Sequence, residues 1–343
     1  MSVSKGEASN PNELPDPSSS TVATLRERVD AWQREFPADW LERLRQDGRA
    51  QVRRLALQLE SAQTKKERER ARLLAMLQFE RELWETGTMQ VGGVDEAGMG
   101  PLAGPVVAAA VIFPPEPLLA GIQDSKQLSE EARTSLAPAI RRAARSVSVG
   151  VATVTEIDRL NIYHAGLLAM RRAVAGLSPS PGHLLVDGRE IPDVTVPQTR
   201  LIRGDSRSYS IAAASIIAKT ERDRMMKELD DRFPGFGFAE HKGYPTATHR
   251  RALAELGPCT EHRQSFPAVS EFSGRFSTHF YALRDALSAA RTEAEFGELR
   301  SRLRHARSLL SAGEYRRLSG LIGRTAGRGR RRSPLLPGFE PEV

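Results

Sequence analysis

The chain has 343 residues, and its 50 Lys and Arg exceed its 43 Asp and Glu, which gives a formal net charge of +7. This length accommodates one domain with extensions or two domains, and the basic balance favours a polyanionic partner. The single cysteine, Cys259, excludes an intramolecular disulfide framework and fits a reducing compartment. The longest apolar run, residues 106–113, is too short to span a bilayer. The first twenty residues lack a signal-peptide core, so we expect a cytoplasmic protein that does not contact a membrane.

The first 88 residues contain two kinds of sequence. Residues 1–20 are rich in Ser, Pro and Asn and are predicted to be disordered. In residues 21–88, apolar side chains recur at three- and four-residue spacing, which predicts a helical N-terminal extension. Pro37 and Gly48 interrupt the pattern, so we expect two or three helices.

From residue 89, short apolar runs alternate with helical patterns. The predicted strands are residues 91–94, 106–113, 147–154, 184–187 and 199–202, and the predicted helices include 165–174, 208–232 and 249–255. This alternation predicts an α/β or α+β domain with a mixed sheet over residues 89–272. A helical C-terminal extension is predicted over residues 273–322, followed by a disordered basic tail over residues 323–343.

Four carboxylates stand out beside the predicted strands. Asp95 and Glu96 end the first strand, where neighbouring like charges are costly unless a cation such as Mg²⁺ or Mn²⁺ offsets them. Asp187 ends a later strand, and Asp205 follows a glycine ahead of a helix. Taken singly, Asp187 fits a turn and Asp205 fits a helix cap. The four together predict a two-metal site for phosphodiester hydrolysis.

A glycine-rich turn follows the first two acids. Gly98, Gly100 and Gly104 allow backbone amides to approach an oxygen-rich ligand without interference from side chains. Carboxylates for a metal and bare amides for a ligand together indicate phosphate chemistry.

Several ordered blocks carry a family resemblance. They are residues 93–105, 124–128, 186–188, 204–206, 211–223, 237–246 and 262–266. From about residue 90 to 269 the chain closely resembles bacterial ribonuclease HII, and residues 21–88 look like the N-terminal extension of some members. The resemblance implies an α/β ribonuclease H-like fold, with a central mixed sheet flanked by helices and with helical N- and C-terminal extensions. It also implies a metal site of Asp95, Glu96, Asp187 and Asp205 that uses Mn²⁺ or Mg²⁺.

The implied activity is endonucleolytic. The resemblance implies a monomer that hydrolyses the RNA strand of RNA–DNA hybrids and nicks 5′ of ribonucleotides embedded in duplex DNA. It further implies that the 2′-hydroxyl is recognised by the backbone around Gly98, Met99 and Gly100 together with Tyr244. Lys126 would contact phosphate, although an ordinary surface lysine explains it as well.

Met99 departs from the family pattern. The family usually has arginine here, so a charged phosphate contact is lost and weaker substrate binding is expected. Met99 keeps open a catalytically weakened hybrid-binding protein, and a ribonuclease HIII-like enzyme, from the sister group with the same fold and chemistry, also stays open. The four acids argue against a pure binder, and a P-loop enzyme is excluded because its motif is absent.

Three further groups of residues allow less specific predictions. Ser215, Lys219 and Asp223 share one helix face, which fits helix support and an ion pair as well as a substrate contact. The spacing of three histidines and the cysteine matches no common zinc finger; these are His241, His249, Cys259 and His262. The arginine-rich tail is either a nucleic-acid anchor or a solubilising end.

Overall fold

The computed structural model describes residues 13–32 and 36–326, which divide into two compact units at Leu74 and Ala75. The first unit contains α1 (Val22–Ala31), α2 (Ala38–Gln46) and most of α3 (Ala50–Met76). Its apolar core is formed by residues at helical spacing: Leu25, Trp40, Leu41, Leu44, Val52, Leu55 and Ala56. Burial of these side chains is what stabilises the three helices against solvent.

The second unit is built on a five-stranded mixed sheet. Its strands are β1 (Val91–Ala97), β2 (Val106–Ile112), β3 (Ser146–Ala152), β4 (His183–Asp187) and β5 (Gln198–Leu201). The order across the sheet is β3-β2-β1-β4-β5, with antiparallel pairing at β1–β2 and β2–β3 and parallel pairing at β1–β4 and β4–β5. This arrangement confirms the predicted mixed sheet.

Helices cover both faces of the sheet. The helices of this central region are α4 (Gln78–Glu85), α5 (Glu130–Ala143), α6 (Val154–Leu160), α7 (Ile162–Ala175) and α8 (Tyr209–Arg232). On one face, α7 packs on alternate residues of β1, β2 and β4, including Val94, Ala108 and Val186. On the other face, the backbone of α8 lies directly against Gly93, where an added Cβ would be 2.2 Å from the Ser210 carbonyl carbon. Only glycine permits this approach.

The C-terminal part of the second unit is helical. Its helices are α9 (Phe238–His241), α10 (Ala247–Leu256), α11 (Pro267–Ser270), α12 (Thr278–Ala289), α13 (Glu293–His305) and α14 (Ala312–Ala326). Buried residues of α12–α14 share one apolar core with Met226 and Leu229 of α8. The predicted C-terminal helices therefore pack onto the same compact unit as the sheet. Within the described ranges, no helix is long and apolar enough to cross a bilayer.

The ends of the chain differ in detail from the predicted segments. Helix α4, which lies inside the predicted N-terminal extension of residues 21–88, groups with the second unit, where its apolar face covers Val91, Leu185 and Ile211. The end of that extension at residue 88 stays a prediction. Residues 13–20, predicted to be disordered, form turns whose Pro17 and Ser20 carbonyls accept hydrogen bonds from Arg49. At the other end, α14 continues to Ala326, beyond the predicted limit of 322. The remainder of both predicted disordered segments lies outside the described residues.

Candidate active site

The four predicted carboxylates lie on three segments that are distant in sequence: β1, the end of β4 and the turn before α8. Asp95 and Glu96 lie in the last three residues of β1, near the strand end where they were predicted, because β1 continues to Ala97 and both acids pair with β2. The parallel pairing of β1 with β4 ends at Val94 and Val186, so Asp95 and Asp187 hold the next register position on adjacent strands. Asp205 lies in the 3₁₀ turn that leads into α8. The Gly204 amide in that turn donates to Asp187 Oδ1 at 2.6 Å.

The four acids lie close enough to affect one another's pKa. Burial, and then the charges of Glu96 and Asp187, raise the pKa of Asp95 well above its ordinary value, with a smaller contribution from Asp205. Burial also raises the pKa of Glu96 and that of Asp187. The amide of Glu96 donates to Asp95 Oδ1 at 2.7 Å, which offsets part of the cost. The site is therefore a concentration of partly buried negative charge.

Two basic side chains form ion pairs with these acids. Lys126 Nζ lies 3.1 Å from Asp205 Oδ2, and Arg189 Nη2 lies 3.0 Å from Glu96 Oε1. Burial would lower the pKa of Lys126, but the bond and charge of Asp205 outweigh it and raise that pKa. As the side chains stand, residues 13–32 and 36–326 include no group of three or more Asp, Glu, His or Cys placed to hold one metal ion. The predicted metal set therefore stays a prediction.

The chemistry of the donors nevertheless fits a hard cation. All four are carboxylates, which is the ligand type that Mg²⁺ and Mn²⁺ prefer. The second oxygen of Glu96, Oε2, is buried and accepts no hydrogen bond from any residue in the described part of the chain. A buried carboxylate oxygen without a partner is costly, so this atom is suited to a cation.

Two buried arginines hold the glycine turn, and the sequence patterns did not indicate either. Arg263 donates to the carbonyls of Gly98, Met99, Pro101 and Gly104 at 2.6–3.2 Å. Arg222 donates to the carbonyls of Ala103, Pro105 and Lys242 at 3.0–3.1 Å. Burial lowers the pKa of Arg222 to about 10 and that of Arg263 to about 9. Both arginines thus satisfy backbone oxygens that would otherwise be buried without donors.

The conformation of the turn depends on one glycine. Gly98 has a φ of +99°, and a Cβ there would lie 2.2 Å from Arg222 Nε. Any side chain at this position would meet both backbone strain and a collision with Arg222.

The structure brings Tyr244 to this turn. A Cβ at Gly100 would lie 4.0 Å from Tyr244 Cε1, and the ring centroid is 5.9 Å from Arg222 Cζ and from Lys219 Nζ. Tyr244 is 41% exposed, so its ring is open to a ligand. Met99 instead packs on α7, where a Cβ at Gly166 would be 3.0 Å from its sulfur. The predicted turn and tyrosine are therefore adjacent, and Met99 faces protein.

A buried chain of hydrogen bonds lies behind Tyr244. His249 Nδ1 is 2.9 Å from the Tyr244 carbonyl, and His249 Nε2 is 3.0 Å from His262 Nε2. His262 Nδ1 in turn accepts from the Cys259 amide at 3.0 Å and lies 3.1 Å from its sulfur. The ring of His241 stacks on that of His249 with centroids 4.3 Å apart. These four residues, discussed above only as a zinc pattern, support the backbone of Tyr244.

The helix face of Ser215, Lys219 and Asp223 has an evident supporting role. Ser215 Oγ lies 2.6 Å from Ser125 Oγ, which ties the loop that carries Lys126 to α8. Lys219 Nζ pairs with Asp223 at 2.5 Å. The structure therefore shows the ion pair and the helix support that were one of the two predictions for this face.

Comparisons with known proteins place the chain in one family. The ribonuclease HII family model matches residues 92–269, and the ribonuclease HII N-terminal domain model matches residues 21–84. Ribonuclease HII of Myxococcus xanthus is 56% identical over 239 residues, which cover 69% of this chain and 82% of that protein. Ribonuclease HII of Geobacillus thermodenitrificans is 46% identical over 254 residues, which cover 74% of this chain and 97% of that protein. The crystal structure of ribonuclease H2 from Pyrococcus horikoshii aligns with a TM-score of 0.46 and 23% identity, covering 55% of this chain and 98% of that one.

Proposed function

The chain belongs to the ribonuclease HII family, and from this premise we propose that it cuts the RNA strand of RNA–DNA hybrids and nicks 5′ of single ribonucleotides in duplex DNA. The proposed reaction is hydrolysis, in which water attacks the scissile phosphorus and the 3′ oxygen leaves. The ribonucleotide stays on the 5′ end of the downstream product, which carries a 5′ phosphate. The proposed enzyme is a monomer of the cytoplasm, a compartment that suits its buried free cysteine.

The observation that carries the proposal is the placement of the four carboxylates beside the glycine turn: Asp95 and Asp187 at matching positions of paired strands, Glu96 next to Asp95, and Asp205 in the turn whose Gly204 amide bonds Asp187. We assign Asp95, Glu96, Asp187 and Asp205 as the residues that would hold two divalent cations, Mn²⁺ or Mg²⁺. When bound, these ions would offset the charge of the carboxylates and stabilise negative charge on the phosphoryl oxygens. The partnerless oxygen of Glu96 supports this assignment.

Ribonucleotide recognition is assigned to the turn and Tyr244. The exposed ring of Tyr244 lies against Gly100, so a sugar at the turn would contact both the ring and the backbone. The 2′-hydroxyl is the group that separates RNA from DNA, and it both donates and accepts hydrogen bonds. Lys126, whose side chain is 77% exposed beside Asp205, is assigned to a neighbouring phosphate.

The test is cleavage of a labelled DNA duplex with one embedded ribonucleotide, beside an all-DNA duplex of the same sequence. Each is incubated with Mg²⁺, Mn²⁺ or EDTA, with wild type and with Asp95→Asn. Metal-dependent nicking 5′ of the ribonucleotide, lost in Asp95→Asn and absent from all-DNA, is the expected result. Hybrid binding without any nicking would favour the binding-protein alternative that Met99 raises. A requirement for several consecutive ribonucleotides would contradict the single-ribonucleotide assignment and favour a ribonuclease HIII-like enzyme.

A further inference from the structure

Arg189 lies at the rim of the carboxylate cluster. It follows Gly188 in the loop after β4, and its Nη2 donates to Glu96 Oε1 at 3.0 Å. Its guanidinium carbon is 5.3 Å from the centroid of the exposed Tyr163 ring. The Arg189 side chain keeps 27% of its surface exposed. In the described part of the chain, the bond to Glu96 is the one hydrogen bond found for this guanidinium.

Arg189 also borders Met99. A Cβ at Gly166 would be 3.0 Å from Met99 Sδ and 4.0 Å from Arg189 Nη1, so both side chains meet the same surface of α7. The turn of Gly98, Met99 and Gly100 carries no charge of its own. Arg189 therefore supplies a positive charge beside Met99, where the turn itself has none.

We propose that Arg189 binds a phosphate of the nucleic-acid strand on the Glu96 side of the site. This inference rests on the proposed function, because it assumes that a nucleic-acid strand passes the turn. A guanidinium has five donors in one plane, and the bond to Glu96 uses one of them. The guanidinium lies over the Tyr163 ring, which favours this position of the cation, and the bond to Glu96 leaves further donors for phosphate oxygens. Arg189 and Lys126 then place positive charge at two of the four carboxylates, Glu96 and Asp205.

An ion pair that merely orients Glu96 would give a different result from a phosphate contact. Loss of a phosphate contact weakens binding even without metal and lowers the salt dependence of binding by about one unit of the log–log slope. Loss of an orienting pair alters cleavage and leaves that slope unchanged. The dependence of affinity on salt is therefore the deciding measurement.

The experiment measures binding of the full chain to a duplex with one ribonucleotide in EDTA, across a range of salt concentrations. Arg189→Gln is expected to weaken binding about 10-fold at low salt and to reduce the slope by about one. Arg189→Lys keeps the charge and is expected to keep the slope, with a smaller loss of affinity. Arg171→Gln is the matched control, because Arg171 is an exposed α7 arginine paired with Asp193.

A second substitution tests the relation to Met99. Adding Met99→Arg to Arg189→Gln is expected to restore the affinity and the slope, because the charge returns to the same surface. Unchanged affinity and slope in Arg189→Gln, or equal losses in Arg171→Gln, would overturn the inference. Unfolding temperatures of each variant exclude global destabilisation as the cause. Failure of the wild type to nick with metal would instead refute the proposed function, so the two failures are distinguishable.

Discussion

The Nε2 atoms of His249 and His262 lie 3.0 Å apart in the interior of the protein, so one of them must carry the proton. The Tyr244 carbonyl can only accept, which places a proton on His249 Nδ1. The Cys259 amide can only donate, which leaves His262 Nδ1 without one. Each hydrogen bond is therefore donated in the same direction: from the Cys259 amide to His262, from His262 to His249, and from His249 to the Tyr244 carbonyl.

We predict the tautomers of both rings from this direction. His249 is expected to be the Nδ1–H form and His262 the Nε2–H form, each neutral at pH 7. Long-range ¹⁵N–¹H spectra of the histidine rings measure both directly, and the exposed His164 serves as an internal reference for a solvated ring. An Nε2–H form of His249 would contradict the assigned direction.

The same histidines predict how stability depends on pH. Burial lowers the pKa of His249 to about 4, against an ordinary value of 6.5, and burial also lowers the pKa of His262 well below that ordinary value. Between these values the unfolded chain binds a proton that the folded chain excludes, so the free energy of unfolding falls as pH drops from 6.5 towards 4. The slope is about 1.4 kcal/mol per pH unit for one proton.

Denaturant unfolding at pH 7, 6 and 5 checks this expectation. His241 stacks on His249, and His262 is hydrogen-bonded to it, so all three rings can contribute to the pH dependence of stability. A variant that changes His249 alone isolates the contribution of that ring. His249→Gln is expected to show a shallower loss than the wild type. An equal slope in both proteins would mean that His249 titrates normally in the folded state.

Asp95→Asn is predicted to raise stability in EDTA while it abolishes metal-dependent nicking. The asparagine keeps the Oδ1 acceptor for the Glu96 amide but removes a buried charge that Glu96 and Asp187 repel. Thermal unfolding in EDTA and the nicking assay measure the two effects. Asp193→Asn is the control, since Asp193 is an exposed partner of Arg171 and no gain is expected. A lower unfolding temperature for Asp95→Asn would contradict the like-charge explanation.

Arg263→Lys is predicted to destabilise the fold by about 2–4 kcal/mol, because an ammonium group cannot serve all the carbonyls that the buried guanidinium serves. The loosened turn is also expected to raise KM for the ribonucleotide duplex. Leu318→Ala, a cavity variant in α14, provides a control of similar instability away from the turn. If both variants change KM equally, the effect of Arg263 is general and not local to the turn.

Two shortened chains test whether α4 supports the sheet. A chain starting at Ala75 keeps α4, whose Glu80 accepts hydrogen bonds from Ser208 and Ser210 at 2.6–2.9 Å. A chain starting at Thr88 loses these bonds and the apolar cover of β1, so it is expected to be less stable by about 3 kcal/mol or more. Equal unfolding free energies for the two chains would show that α4 does not support the sheet. We also predict that residues 21–88 add substrate affinity, and the chain from Ala75, which keeps α4, tests this prediction for residues 21–74.

The sequence predicted well what depends on local pattern. The five strands were each found within a few residues, because their apolar runs are bounded by turn residues. Ser129 caps α5, and a cap of this kind is a local feature because it depends on the next few residues alone. Asp95 and Glu96 were identified from two charges beside an apolar run, but their place inside β1 depends on pairing with β2, which the pattern does not specify.

What the sequence did not predict depends on contacts between distant residues. Arg222 and Arg263 read as ordinary basic residues, and their burial is visible only once the carbonyls of the turn surround them. The histidines were likewise compared with zinc motifs by their sequence spacing. Their hydrogen bonds join rings that meet only in the folded protein, and spacing does not predict such contacts. No sequence pattern singled out Glu80, because its neighbours in sequence do not show that its carboxylate binds the start of α8.

The dependence of the glycine turn on Arg263 has a consequence for synthesis of the protein. The turn follows β1, yet the guanidinium that secures it is added more than 150 residues later. As a chain emerges from the ribosome, all four acids are present well before the turn after Glu96 can take its final form. A nascent chain halted before residue 263 would therefore carry every proposed metal ligand and still lack the surface that we propose for the sugar.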